Sequence, residues 1–153
     1  MTRELKRMLI AIEDGKSDEQ VVDTGLDLAV DEGAEVIFVH VVSIPGESFV
    51  PTGEVARVPD RATDEVLVEA CEKAHSRGLE ATSELLIGYP ARQLALVADD
   101  LDVDLIVVGS RRLSALKRAV LGSTSRALLT ESTRRVLVVP LTAEQPAREA
   151  IPA

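Results

Sequence analysis

The feature that most constrains this chain is the alternation of short, unbroken apolar runs with stretches of helical period. Met8-Leu9-Ile10-Ala11-Ile12 is continuous where a half-exposed strand would alternate, so it fits a strand buried on both faces. Strands are predicted over 36–42, 80–87, 105–108 and 136–139. Between them lie predicted helices: one from an N-cap at Ser17, with Gln20 three residues on, to Gly33; one over 63–76, ended by Gly78; one over 91–101, with Pro90 at its first position; and one over 123–132. Strands too apolar to face water, each followed by a helix, imply a single-domain α/β fold with an open parallel sheet and helices on both faces. The 153 residues suit one core.

Composition removes several function classes. With 26 acidic and 17 basic residues the net charge is −9, which argues against a nucleic-acid surface, because phosphate neutralisation needs clustered cations. Aromatics make up 2% with no Trp, so base-stacking platforms are nearly absent and an adenine pocket would be aliphatic. Cys71 is the one cysteine, which excludes an intrachain disulfide and a cysteine-cluster metal site. It reads as a small core residue of the second helix. No apolar run reaches the roughly 20 residues of a membrane span, and residues 1–6 lack a signal peptide's apolar stretch, so a cytoplasmic protein is expected. His40 and His75 fall in no metal-ligand spacing and are expected to have ordinary structural or surface roles.

Two segments lie outside the strand–helix alternation. Residues 43–60 carry Pro45, Gly46, Pro51, Gly53 and Pro59 and are too long for an ordinary connection; a flexible loop and a lid or partner contact are the two readings, with flexibility favoured. Residues 142–153 are polar and Pro-interrupted and read as a flexible tail to a domain of residues 1–141. Arg134 and Arg135 are placed to cap the carbonyls of the last helix.

Chemistry concentrates after the fourth strand. Gly109-Ser110-Arg111-Arg112 and, after nine intervening residues, Gly122-Ser123-Thr124-Ser125 join a buried strand to a helix start. Unpaired amides, a partial positive charge and hydroxyl donors make such a start a phosphate site; equally, Ser123 reads as a plain N-cap and Gly122 as a turn residue. No G-x-G-x-x-G follows the first strand and no G-x-x-x-x-G-K-[ST] occurs, so dinucleotide-binding and P-loop readings fall away. Asp14-Gly15-Lys16-Ser17-Asp18 lacks the glycine and serine run of an ATP pyrophosphatase loop.

The order and spacing of Met8 to Ile12 followed by an acid, Val39-His40-Val41-Val42, Gly88-Tyr89-Pro90, Leu105 to Ser110, Leu121 to Ser125 and Val136 to Val139 resemble the universal stress protein family. Its nucleotide-binding members carry G-x2-G-x9-G-[ST], and here Arg112 stands where the second glycine belongs. The resemblance implies strand order 3-2-1-4-5 and a stress-response protein that binds ATP or a related adenine nucleotide, with Mg2+ on the phosphates, as a sensor or regulator. It places Glu13 at the nucleoside contact, one methylene or roughly 1.5 Å longer than the family's aspartate. Val41 would line adenine through its backbone, Gly109 would approach the ribose and phosphates, and Gly122, Ser123, Thr124 and Ser125 would hold the phosphates. Arg111 and Arg112 are bidentate phosphate donors in one reading. In another they face solvent. In the alternative function Arg112 fills the pocket and the protein is a nucleotide-free dimeric interaction module. No catalytic residue stands out, so at most slow incidental ATP hydrolysis is expected. The edge strand Val136-Leu137-Val138-Val139 exposes backbone groups that pair readily with another chain, and the resemblance implies a homodimer through it.

Overall fold

The computed structural model describes residues 4–13, 18–43, 53–60, 64–113, 118–120 and 122–140. The elements run β1 (Arg7–Ile12), α1 (Asp18–Glu32), β2 (Glu35–Val42), α2 (Glu65–Ser76), β3 (Ala81–Ile87), α3 (Pro90–Asp100), β4 (Leu105–Gly109), β5 (Arg111–Leu113), β6 (Arg118–Val120), α4 (Ser123–Glu131) and β7 (Arg135–Val139). Five strands form a parallel sheet of order β3-β2-β1-β4-β7. This is the α/β architecture and the 3-2-1-4-5 order expected.

The unbroken apolar runs follow from two cores. Met8, Ile10 and Ile12 of β1 pack with Val21, Leu26 and Ala29 of α1 and Leu67, Ala70 and Ala74 of α2. Leu9 and Ala11 pack on the opposite face with Leu94, Val97 and Ala98 of α3 and Leu128 of α4. Because successive side chains leave a strand on opposite faces, both parities of β1 must be apolar. Cys71 is half-buried against the α1–α2 core. Gly33 and Gly78, with φ +68° and +79°, end α1 and α2 as expected. Among the described residues no helix is long and apolar enough to cross a membrane.

Several local expectations are corrected. α2 begins at Glu65 behind Asp64, whose Oδ1 accepts the Leu67 amide at 3.0 Å; a carboxylate cap two residues before the apolar stripe moves the start inward from Thr63. The N-cap of α4 is Gly122, so Ser123 occupies the first helical position instead of capping it. Residues 111–120, read as a connection, contain an antiparallel ladder in which Arg111 faces Val120, Arg112 faces Ala119 and Leu113 faces Arg118. Arg134 binds Asp99, Asp102 and the Val103 carbonyl instead of the last carbonyls of α4, and the Asp102 hydrogen bond, followed by that to Asp99, raises its pKa.

The described end of the 43–60 stretch is docked on the sheet, which corrects the flexible reading there. Val58 N–H donates to the Leu85 carbonyl and Ile87 N–H to that of Ala56, so these residues flank the outer edge of β3. Val58 packs on one core and Val55 on the other. Gln93 of α3, 2% exposed, holds the segment by both ends of its amide: Oε1 accepts from Ala56 N at 2.9 Å and Nε2 donates to the Glu54 carbonyl at 3.1 Å. Arg57 bonds Asp100, which raises the guanidinium's pKa, and also pairs with Glu84. The expected N-cap Ser17, the expected helix start Thr63 and the tail 142–153 lie outside the described residues.

Candidate functional site

In an open parallel sheet, a crevice forms at the carboxyl ends of the strands where consecutive crossovers leave toward opposite sides. Here that point lies between β1, which leads to β2, and β4, which leads toward β7. A crevice of about 680 Å³ opens there. The end of β1 supplies Ala11, Ile12 and Glu13, and β2 supplies Val39 through Val42 with Ser43 beyond it. Pro90 and Leu94 of α3 and Ser123 and Thr124 of α4 complete the wall. The lining combines aliphatic side chains with polar residues, among them Glu13 and the start of α4.

The start of α4 carries donors suited to an anion. Its first intrahelical bond runs from Arg126 N to the Gly122 carbonyl at 3.0 Å, so the amides of Ser123, Thr124 and Ser125 precede the helical ladder. Gly122 has no side chain to cap them and the first turn holds no acidic residue, which leaves the positive end of the helix dipole uncompensated. Ser125 is 1% exposed, and its Oγ donates to the Gly109 carbonyl at 2.8 Å. Gly109 ends β4 opposite Val139. This bond ties the end of β4 to α4.

Of the residues singled out from the sequence, Glu13, Val41, Ser123 and Thr124 line one crevice. Gly109 and Ser125 are bonded to each other, and Gly122 stands at the N-cap of α4. Arg111 and Arg112 lie in the backbone of β5; their side chains are outside the described part. A second cavity of about 380 Å³ shares Pro90, Ser123 and Thr124 with the first and extends along Tyr89, Ala127 and Glu131.

His40 also belongs to the crevice wall. It is 8% exposed, and its Nδ1 lies 2.7 Å from Asp64 Oδ2. The sequence reading gave His40 an ordinary structural or surface role and missed Asp64. The available signal was an aspartate two residues before the apolar stripe of α2, the position of an N-cap.

Comparison with known proteins follows the same outline. The family model described as Universal stress protein family matches residues 4–140. The Bacillus subtilis protein named universal stress protein YxiE is 33% identical over 144 residues, covering 87% of this chain and 97% of that protein. A crystal structure of a universal stress protein in complex with cAMP superposes with a TM-score of 0.66 at 22% identity, over 92% of this chain and 100% of that one. A universal stress protein family structure from Arabidopsis thaliana with AMP bound gives a TM-score of 0.61 at 15% identity, over 88% of this chain and 90% of its own. At these identities the two structures establish the shared fold.

Proposed function

The chain belongs to the universal stress protein family, and from that premise we propose that it binds an adenine nucleotide in the crevice at the sheet's switch point and acts as a nucleotide-responsive regulator. One observation carries this reading: a single crevice is lined by a carboxylate, Glu13, by aliphatic side chains of β1, β2 and α3, and by the uncapped start of α4. Those suit the ribose hydroxyls, the base and the phosphates of a nucleotide, respectively. The structural neighbours that hold cAMP and AMP share the fold and agree with this ligand class.

In this proposal the backbone at Val41 meets the adenine ring and Glu13 accepts from a ribose hydroxyl. The amides of Ser123, Thr124 and Ser125, with the Thr124 hydroxyl, receive phosphate oxygens at the positive end of α4. Gly109 and Gly122 allow the phosphates close to the backbone. Arg111 and Arg112 supply guanidinium donors, which suits a ligand with more than one phosphate, such as ATP carrying Mg2+ on its phosphate oxygens. The protein works by binding, with hydrolysis no more than slow and incidental. It acts in the cytoplasm as a homodimer, paired through the edge of β7, because that strand ends the sheet order and half-buries Val136, Leu137 and Val138.

A second reading rests on Arg112, which stands inside β5 opposite Ala119 where the family pattern has a glycine. If that position closes the crevice, the protein is a nucleotide-free interaction module. Calorimetric titration of nucleotide-stripped protein with ATP and Mg2+, AMP and cAMP, beside Arg112→Gly, decides between them. Binding by the wild type that Arg112→Gly does not improve supports the nucleotide reading. Binding by Arg112→Gly alone overturns it in favour of the second, and light scattering on the same samples reports the dimer.

A further inference from the structure

β2 ends in a side-chain alternation that splits between the two cores. Val36 and Phe38 pack into the layer of α1 and α2, while Ile37, Val39 and Val41 pack into the layer of α3. His40 continues the first series and meets Asp64 at the start of α2. Both carboxylate oxygens of Asp64 are engaged, Oδ1 by the Leu67 amide at 3.0 Å and Oδ2 by His40 Nδ1 at 2.7 Å. The two side chains are only 10% and 12% exposed. A carboxylate oxygen accepts, so the hydrogen of this contact lies on Nδ1 and the contact fixes the orientation of the ring.

We infer that Asp64 is a positioning residue of the crevice: through His40 it fixes the carboxyl end of β2, and so the backbone at Val41 against which the ligand lies. The inference rests on the nucleotide-binding reading above. Its physical ground is the kind of residue used. Val36 and Phe38 show that an apolar side chain satisfies this face of β2, and a buried imidazole–carboxylate pair incurs a desolvation cost that an apolar pair avoids. What the polar pair adds is direction. The hydrogen bond defines one ring orientation and one strand position relative to α2, where packing alone would tolerate small sliding. The pair sits where β2 ceases to be a sheet element and becomes the crevice wall, the last ladder partners being Val41 with Leu86 and Val42 with Ile87.

The test uses Asp64→Ser, which keeps a favourable N-cap for α2 but is too short to cap and reach His40 together. Nucleotide-stripped protein is titrated with AMP and ATP, and the His40 ring nitrogens and the Val41 and Val42 amides are followed by nitrogen-15 NMR. The expected result is a folded variant in which the Nδ1 hydrogen bond is lost, the Val41 and Val42 amide signals shift without ligand, and affinity falls about tenfold, as removal of one strong hydrogen bond would give. Glu65→Ala, an exposed change in the same first turn, leaves all of these unchanged. Loss of the Nδ1 hydrogen bond with unmoved Val41 and Val42 signals, or with wild-type affinity, overturns the inference. Absence of nucleotide binding by the wild type overturns the functional reading instead, and the ligand-free amide signals then still decide the positioning role.

Discussion

The hydroxyl of Ser125 donates to the carbonyl of Gly109 across 2.8 Å and so joins the last residue of β4 to the first turn of α4. A serine hydroxyl has one hydrogen. Committed to Gly109, that hydrogen is not offered to a ligand, whereas Thr124 lines the crevice.

Ser125→Ala and Thr124→Ala therefore separate stability from binding. Ser125→Ala removes the donor to a carbonyl beside a 1%-exposed side chain, and the expected loss is about 1–2 kcal/mol, a fall in Tm of roughly 2–4 °C per kcal/mol. Thr124→Ala is expected to leave Tm near the wild type and to weaken phosphate-bearing nucleotides several-fold more than adenosine. Thermal unfolding beside calorimetry checks both. Equal effects of the two variants on affinity, with Tm unmoved in each, would contradict the division.

Gln93→Leu tests the docked segment at the β3 edge. Leucine fills a comparable volume but leaves the Ala56 amide and the Glu54 carbonyl without the amide they now bond, a cost of about 1–3 kcal/mol for buried polar groups. The opening is expected to be local, because Val55 and Val58 anchor only this segment to the cores. Hydrogen exchange should rise at Ala56, Val58 and Ile87 and stay at wild-type levels in β1. Uniform acceleration throughout the sheet would show that Gln93 supports the whole fold.

Arg134→Ala makes a contrasting case. Its partners Asp99 and Asp102 are exposed, so despite several short bonds the pairs are screened by solvent and the loss is expected to stay within about 1 kcal/mol. Urea titrations at low and high salt should show the difference shrinking as salt rises. A larger, salt-independent loss would assign the effect to the bond with the Val103 carbonyl.

What the sequence revealed and what it hid follow one physical division. Burial on both faces writes itself into composition, so Met8 to Ile12 and Leu105 to Val108 were legible as central strands, and glycines with positive φ marked the ends of α1 and α2. Features made by side chains distant in sequence left no local trace. Gln93 and Ala56 are separated by 37 residues and His40 and Asp64 by 24, and neither spacing has a periodic signature. The β5–β6 ladder lacks the Asn-Gly or Asp-Gly turn that announces a hairpin. At the site, Glu13, Val41, Ser123 and Thr124 were legible through their place in a family pattern, and the structure brings them to one crevice. His40 looked structural because only its strand, and not its partner, was visible.

Gly25 offers a test of how closely α1 lies on the sheet. It is buried in mid-helix, and a methyl group there would stand 2.5 Å from Ile10 Cδ1 and 2.9 Å from Ile10 Cγ1. Replacing a mid-helix glycine with alanine ordinarily gains about 1 kcal/mol in helix propensity. Against this, Ile10 is fully buried between α1 and β1, so its side chain has little room to yield, and overpacking costs about 1–3 kcal/mol. Gly25→Ala is thus expected to be destabilising in spite of propensity. Ile10→Val removes the nearer of the two carbons, and in the double variant the two losses should sum to less than their parts by at least about 0.5 kcal/mol, as for residues in contact. Urea unfolding of the four proteins in the cycle measures this coupling. Strict additivity, or stabilisation by Gly25→Ala alone, would mean that α1 shifts off the sheet to admit the methyl group, and that the close approach of helix and strand is not fixed by the packing around Ile10.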